Sequence, residues 1–190
     1  GVDEVDGQKR NKDALNLQAR ASVQLPYEWV NPYLFEQPIA PHLAAFDEGV
    51  EISLEAIVSR FRRISEEVDC VIVEGAGGWL CPISSTLDIA DIALVLGLPV
   101  VLVVGMRLGC INHARLTECL IRESGVPYAG WVANQIDPQF TKREETVETL
   151  TNFFGQRPLA EIGFKAEIAG VGRDQNNHWN RGEILRRMLA

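Results

Sequence analysis

Residues 68–84 read VDCVIVEGAGGWLCPIS, an apolar run that meets a carboxylate, Glu74, and then turns into Gly75, Ala76, Gly77 and Gly78. Cys70 to Val73 is short, continuous and rich in β-branched residues, the pattern of a strand covered on both faces of a parallel sheet. Open α/β sheets place ligands at the carboxyl ends of their strands. A carboxylate there can hold a cation, and the glycines let backbone N–H groups approach an anion closely. A solvated strand-end acid followed by an ordinary tight turn is the other reading of the same residues.

Working outward, strands and helices alternate. Asp13 to Ala21 has helical spacing, with Asp13 in the first turn. The next stretch, LPYEWVNPYLFEQPIAP (residues 25–41), carries Pro26, Pro32, Pro38 and Pro41 and reads as neither helix nor central strand. Its aromatics suggest a loop packed onto the surface. Ser53 caps an amphipathic helix with Leu54, Ile57, Val58, Phe61 and Ile64 on one face; Arg60, Arg62 and Arg63 read as its solvated face. Leu87 to Leu96 reads as a mostly buried helix and Pro99 to Val104 as a second buried strand. A helix begun by Asn112 follows, with Leu116, Cys119 and Leu120 inward. Tyr128 to Val132 is a third strand, Thr141 and Glu144 form a capping-box signature, Leu159 to Ile162 is a weaker strand, and a last helix starts at Glu183. This alternation predicts βαβ units, a parallel sheet and right-handed crossovers within one domain spanning residues 1–190.

Composition narrows the class. A chain of 190 residues with 46% hydrophobic residues and mean hydropathy near zero is that of a globular protein able to bury a core. A net charge of −8 and the lack of a basic run argue against nucleic-acid binding. The four cysteines, Cys70, Cys81, Cys110 and Cys119, lack zinc-site spacing and point to reduced thiols in the cytoplasm. No long apolar segment or leader is seen, so neither membrane insertion nor secretion is expected. The chain opens on Gly1, which suggests that a segment precedes it.

With a parallel sheet, three polar signals share its carboxyl edge: Glu74 with GAGG, the turn GMRLGCIN before a helix, and Asn134 with Gln135. The N–H groups at the start of the helix at Asn112 are an anion site, and Asn112 is also its N-cap. Asn134 can read a base edge or cap the following turn. His113, next to the cap, reads as structural, His42 and His178 have no carboxylate or cysteine companions at ligand spacing, and no GxSxG elbow is present.

The segments RNKDALNLQ (10–18), VNPYLF with PHLAA (30–45), VEGAGGW (73–79), LPVVLVVGMRLGCINHARLT (98–117) and GWVANQI (130–136) closely resemble the dethiobiotin synthetase family, ATP-dependent enzymes of biotin biosynthesis. The resemblance runs in order from about Arg10 to about Ile162. It implies a three-layer α/β fold of the P-loop NTPase-like class, a homodimer, and closure of a ureido ring on 7,8-diaminopelargonate with CO2, ATP and Mg2+. By the same resemblance Asp13 and Glu74 hold Mg2+ and the γ-phosphate, Gly75, Ala76 and Gly77 contact nucleotide or carbamate, and Asn134 and Gln135 read adenine. Cys110, Ile111 and Asn112 receive the substrate carboxylate from the partner subunit, and Gly163, Phe164 and Lys165 stand where the family has its adenine loop.

Two departures qualify that expectation. The family begins with a strand, a Walker A loop and a catalytic lysine. Here the lysines are Lys9, Lys12, Lys142 and Lys165, none follows a glycine, and GxxxxGK[ST] is absent. The first strand–P-loop–helix unit is thus expected to be missing from these residues, with no catalytic residue assignable and the chain alone inactive. The tail GVGRDQNNHW also has no counterpart in the family pattern. The alternatives are a non-catalytic binding protein of the same fold without a P-loop, or a related amide-forming ATPase.

Overall fold

The structure, a computed structural model, describes residues 2–5 and 7–164. Backbone contacts divide the chain into two compact units, Gly1–Leu96 and Gly97–Ala190.

The first unit is mostly helical. A hairpin of β1 (Asp3–Val5) and β2 (Gln8–Arg10), turned at Gly7, leads into α1 (Lys12–Arg20), whose N-cap Asn11 accepts a hydrogen bond from Ala14 N at 2.9 Å. The proline-rich stretch is not all loop. Tyr27–Val30 forms one turn, α2, because Pro26 stands just before it and its carbonyl accepts from Trp29 N and Val30 N. Pro41 then opens α3 (Pro41–Asp47), where its missing N–H costs nothing. The aromatics do pack: Tyr33 and Phe35 stack 6.4 Å apart against a cluster centred on Ala45, Ile52 and Ile83. Ser53 caps α4 (Leu54–Ser65) as expected, accepting from Ala56 N. Arg63 is not simply solvated, since its guanidinium lies 4.3 Å from the Trp29 ring centre.

Two expectations fail in this unit. Residues 70–74 form no strand: they pair with no segment among the described residues, and Ile72 is 73% exposed. β-branched composition favours an extended chain, but a strand also needs neighbours for its N–H and C=O groups. The helix after the glycine turn, α5 (Ile89–Leu96), starts two residues late, because Leu87 O is taken by Ile83 N and Ser84 N in a tight turn. Only Ala90 is buried on it, while Leu94 and Val95 are exposed.

The second unit is a βαβαβ arrangement. Strands β3 (Val100–Met106), β4 (Tyr128–Gln135) and β5 (Ala160–Ile162) pair in parallel in the order β3-β4-β5, connected by α6 (Cys110–Glu123) and α7 (Arg143–Phe154). Trp131, Met106 and Leu150 are fully buried in its core, with Trp131 edge-on to Phe154. Among the described residues β3 lies at the sheet edge and is only partly covered, so Val103 stays exposed where a buried strand was expected. α6 turns Cys110, Ala114, Glu118 and Ile121 inward, not Leu116 and Cys119. Glu118 is tolerated there because it pairs with Arg122 one turn on. The N-cap of α6 is Gly109 at φ 89°, three residues before Asn112, and Lys142 caps α7 without the expected Thr141 side-chain bond. The expected helix from Glu183 lies outside the described residues. All four cysteines are free thiols, and among the described residues no helix is long and apolar enough to cross a membrane.

Candidate active site

Asp13 and Glu74, sixty-one positions apart in sequence, line one cavity of about 260 Å3 together with Gly75 and Ala76. α1 supplies Asp13 from its first turn, and Asn11 holds that turn by capping it. Glu74 comes from the exposed segment before the glycines. Leu17, Tyr33, Leu34, Phe35 and Ile39, from α1 and the proline-rich stretch, add apolar surface to its lining. The cavity therefore offers two carboxylates, bare backbone, amide side chains and apolar surface together.

The glycine turn is fixed from behind. A β-carbon on Gly75 would stand 2.6 Å from Ile89 Cγ2, and one on Gly77 would stand 2.5 Å from Cys81 Sγ. Gly77 also has φ 97°, so both sterics and conformation require glycine there. Backbone bonds from Cys81 N to Gly78 O, Ile89 N to Cys81 O and Ala90 N to Trp79 O tie the turn to the start of α5. Gly77 follows this same exposed turn but is not among the cavity-lining residues.

In the second unit the remaining candidates gather at the carboxyl edge of the sheet. Asn134 and Gln135 end β4, opposite Gly105 and Met106 of β3 on one side, and Asn134 is opposite Ile162 of β5 on the other. Gly163 and Phe164 follow directly from Ile162, so this group of four sits at neighbouring strand ends. Gln135 is half-buried, donates from Nε2 to Asp137 O at 3.3 Å, and stands on the rim of an open hollow of about 740 Å3 with Phe140, Thr141 and Arg143. Lys165 lies outside the described residues. Cys110, Ile111 and Asn112 form the first turn of α6, after the carboxyl end of β3; Cys110 is buried, Ile111 half-buried and Asn112 exposed. Cys110 N donates to Arg107 O, while the N–H groups of Ile111 and Asn112 have no carbonyl within the helix to reach.

Sequence reasoning missed Asn11 and Asn31, which also line the first cavity, and Tyr27, whose hydroxyl stands behind both. The crowding of aromatics among prolines was the only signal for them.

Residues 4–170 match the family described as an AAA domain. The ATP-dependent dethiobiotin synthetase BioD of Xanthomonas oryzae pv. oryzae (strain PXO99A) is 52% identical over 166 residues, covering 87% of this chain and 74% of that protein. Its namesake in Xanthomonas axonopodis pv. citri (strain 306) is 51% identical over 141 residues, covering 74% of this chain and 63% of that protein. The match and the parallel sheet with its helices fit a three-layer α/β fold of the P-loop NTPase-like class. The chain belongs to the ATP-dependent dethiobiotin synthetase family, ligases of biotin biosynthesis.

Proposed function

We propose that this chain carries the acidic and substrate-facing parts of a cytoplasmic active site that closes the ureido ring of dethiobiotin. The observation that supports this reading best is the shared cavity of Asp13, Glu74, Gly75 and Ala76. In the reaction, an amine of 7,8-diaminopelargonate adds to CO2 to give a carbamate and loses a proton. The carbamate oxygen attacks the γ-phosphorus of ATP and ADP leaves. The second amine then attacks the carbamoyl carbon, expelling phosphate and closing the ring.

The donors suit Mg2+. Two carboxylates without a third ligand make a poor all-protein cage, and among the described residues no group of three His, Cys, Asp or Glu is found. Mg2+ commonly keeps its waters and takes one or two carboxylates plus substrate phosphates. Asp13 and Glu74 would hold it, and it would neutralise charge on the transferring phosphoryl group. The backbone of Gly75 and Ala76, which line the cavity, would face phosphate or carbamate oxygens, with Gly77 fixing the turn that follows. Asn134 and Gln135, with Gly163 and Phe164 at the neighbouring strand end, take the adenine, and by the family pattern Lys165 belongs to the same loop; Gln135 gives up its bond to Asp137 to do so. The N–H groups of Ile111 and Asn112, next to Cys110, receive the distal carboxylate of diaminopelargonate bound by the partner subunit of a homodimer, where the helix terminus favours an anion. Catalysis then rests on positioning and charge neutralisation.

The 190 residues hold no GxxxxGK[ST], so the β- and γ-phosphates lack their usual cradle and the chain alone does not turn over. The test joins a strand–P-loop–helix segment carrying GxxxxGK[ST] ahead of Gly1 and measures ADP release that depends on diaminopelargonate and bicarbonate. Turnover by the chimaera and none by the chain alone is expected. A chimaera that binds ATP yet stays inert would favour a non-catalytic binding protein, the reading that the missing motif supports.

A further inference from the structure

We infer that Tyr27 is a positioning residue for Asp13, an inference that rests on Asp13 being a Mg2+ ligand. Tyr27 is buried, and its hydroxyl oxygen accepts two hydrogen bonds: from the backbone N of Asn11 at 2.7 Å and from Nδ2 of Asn31 at 3.0 Å. Both donors line the cavity that Asp13 and Glu74 share. One phenol oxygen therefore joins two stretches of its wall, the entry to α1 and the end of α2.

The link to Asp13 runs through the cap. Asn11 Oδ1 accepts from Ala14 N, and Asn11 O accepts from Leu15 N, so the backbone of Asn11 sets where the first turn of α1 begins. Asp13 lies inside that turn, between the capping residue and Ala14. Its side chain is exposed, so the turn that carries it decides where its carboxylate stands. Tyr27 is in turn held by its own helical turn, where Asn31 N donates to Tyr27 O at 2.8 Å, and by the Arg10 guanidinium 4.2 Å from its ring centre. Two hydrogen bonds to a buried, ring-clamped phenol are a stiff anchor, and metal sites depend on groups that orient their ligands.

The test uses Tyr27→Phe in the natural protein, which keeps the ring, its burial and its contact with Arg10 and deletes only the acceptor. Binding of Mn2+ in the presence of saturating ATP is followed by electron paramagnetic resonance, beside metal-free ATP binding and thermal unfolding. The expected result is about a tenfold weaker Mn2+ affinity, the usual size for a partner that orients a metal ligand, with metal-free ATP affinity unchanged. Asn31→Ala, which removes one of the two donors and leaves the tyrosine in place, should weaken Mn2+ in the same direction by less, and it serves should Tyr27→Phe fail to fold. Asp13→Asn separates the two claims. If Asp13→Asn leaves Mn2+ binding intact, the ligand reading fails and this inference with it. If Asp13→Asn weakens Mn2+ binding while Tyr27→Phe and Asn31→Ala only lower the unfolding temperature, Asp13 stands as a ligand and the positioning role is overturned.

Discussion

Cys81 Sγ occupies the place that a β-carbon on Gly77 would need, 2.5 Å from it, with Cys81 Cβ at 2.9 Å. Gly77 is also at φ 97°, where a side chain is strained whatever the space. Gly77→Ala should therefore lose stability, about 1–3 kcal/mol from the backbone alone, and more from the contact. Adding Cys81→Ala should restore only the part due to Sγ. Gly78→Ala is the control: nothing lies within 4 Å of its β-position, and a change within about 0.5 kcal/mol is expected. Urea unfolding of the four proteins checks this, and equal losses at Gly77 and Gly78 would refute it.

Tyr128 gives a pH dependence with a defined sign. Burial first, then the nearby Glu118 carboxylate, raise its phenol well above its usual pKa, with Arg122 opposing them from 4.6 Å off the ring centre. The folded protein therefore keeps a proton that the unfolded chain releases near pH 10. This contribution is fully present below about pH 10 and is lost as pH rises further, by at most about 1.4 kcal/mol per pH unit. Urea midpoints between pH 8 and pH 11 should fall less steeply for Tyr128→Phe than for the wild type. Parallel slopes would show that Tyr128 does not couple to folding.

What the residues disclosed depended on whether the deciding force was local. The alternation in the second unit was legible because PVVLVV and YAGWV are continuous apolar runs joined by helices of crossover length, and β3, β4 and β5 pair in parallel. The inward face of α6 was misread because apolarity counts pass over Glu118, buried through its pair with Arg122. Its start was misread because a left-handed glycine, Gly109, caps it in place of an amide side chain. CVIV looked like a strand because composition reports extended preference and says nothing of pairing. Asp13 and Glu74 could not be joined by spacing; family resemblance linked them, and a shared cavity gives that link a geometric form. Tyr27 escaped because its role lies in two bonds to residues that look unremarkable in sequence.

Asn112 is exposed in the first turn of a 14-residue helix. Asn112→Glu places a negative charge where the proposed ligand group is a carboxylate, yet an acid in a helix's first turn is favourable for the helix itself. The prediction, for the P-loop-bearing chimaera, is thus a split: KM for diaminopelargonate rises by about tenfold or more, a cost of about 1.4 kcal/mol, while KM for ATP and the unfolding temperature hold. Sedimentation of the natural protein at micromolar concentration should show a dimer. A monomer that turns over normally would remove the partner subunit from the site.

Glu74 poses the sharpest test, because its environment separates function from stability. It is exposed, belongs to no helix or strand, and adds nothing to a core, so Glu74→Gln should leave stability within about 0.5 kcal/mol. The amide keeps the volume and a carbonyl oxygen but loses the charge that a hard cation needs. If Glu74 helps hold Mg2+, the variant should require far more Mg2+ for half-maximal ADP release. Its maximal rate should also fall by roughly a hundredfold or more, since metal-derived charge stabilisation is worth several kcal/mol in the transition state. If Glu74 is only a solvated acid ahead of a glycine turn, neither quantity moves beyond a few-fold. The measurement is carbamate-dependent ADP release against Mg2+ concentration for the P-loop-bearing chimaera with and without Glu74→Gln, with unfolding temperatures taken in parallel. Superimposable rate curves would remove Glu74 from the metal site and leave Asp13 as the one carboxylate assigned to it.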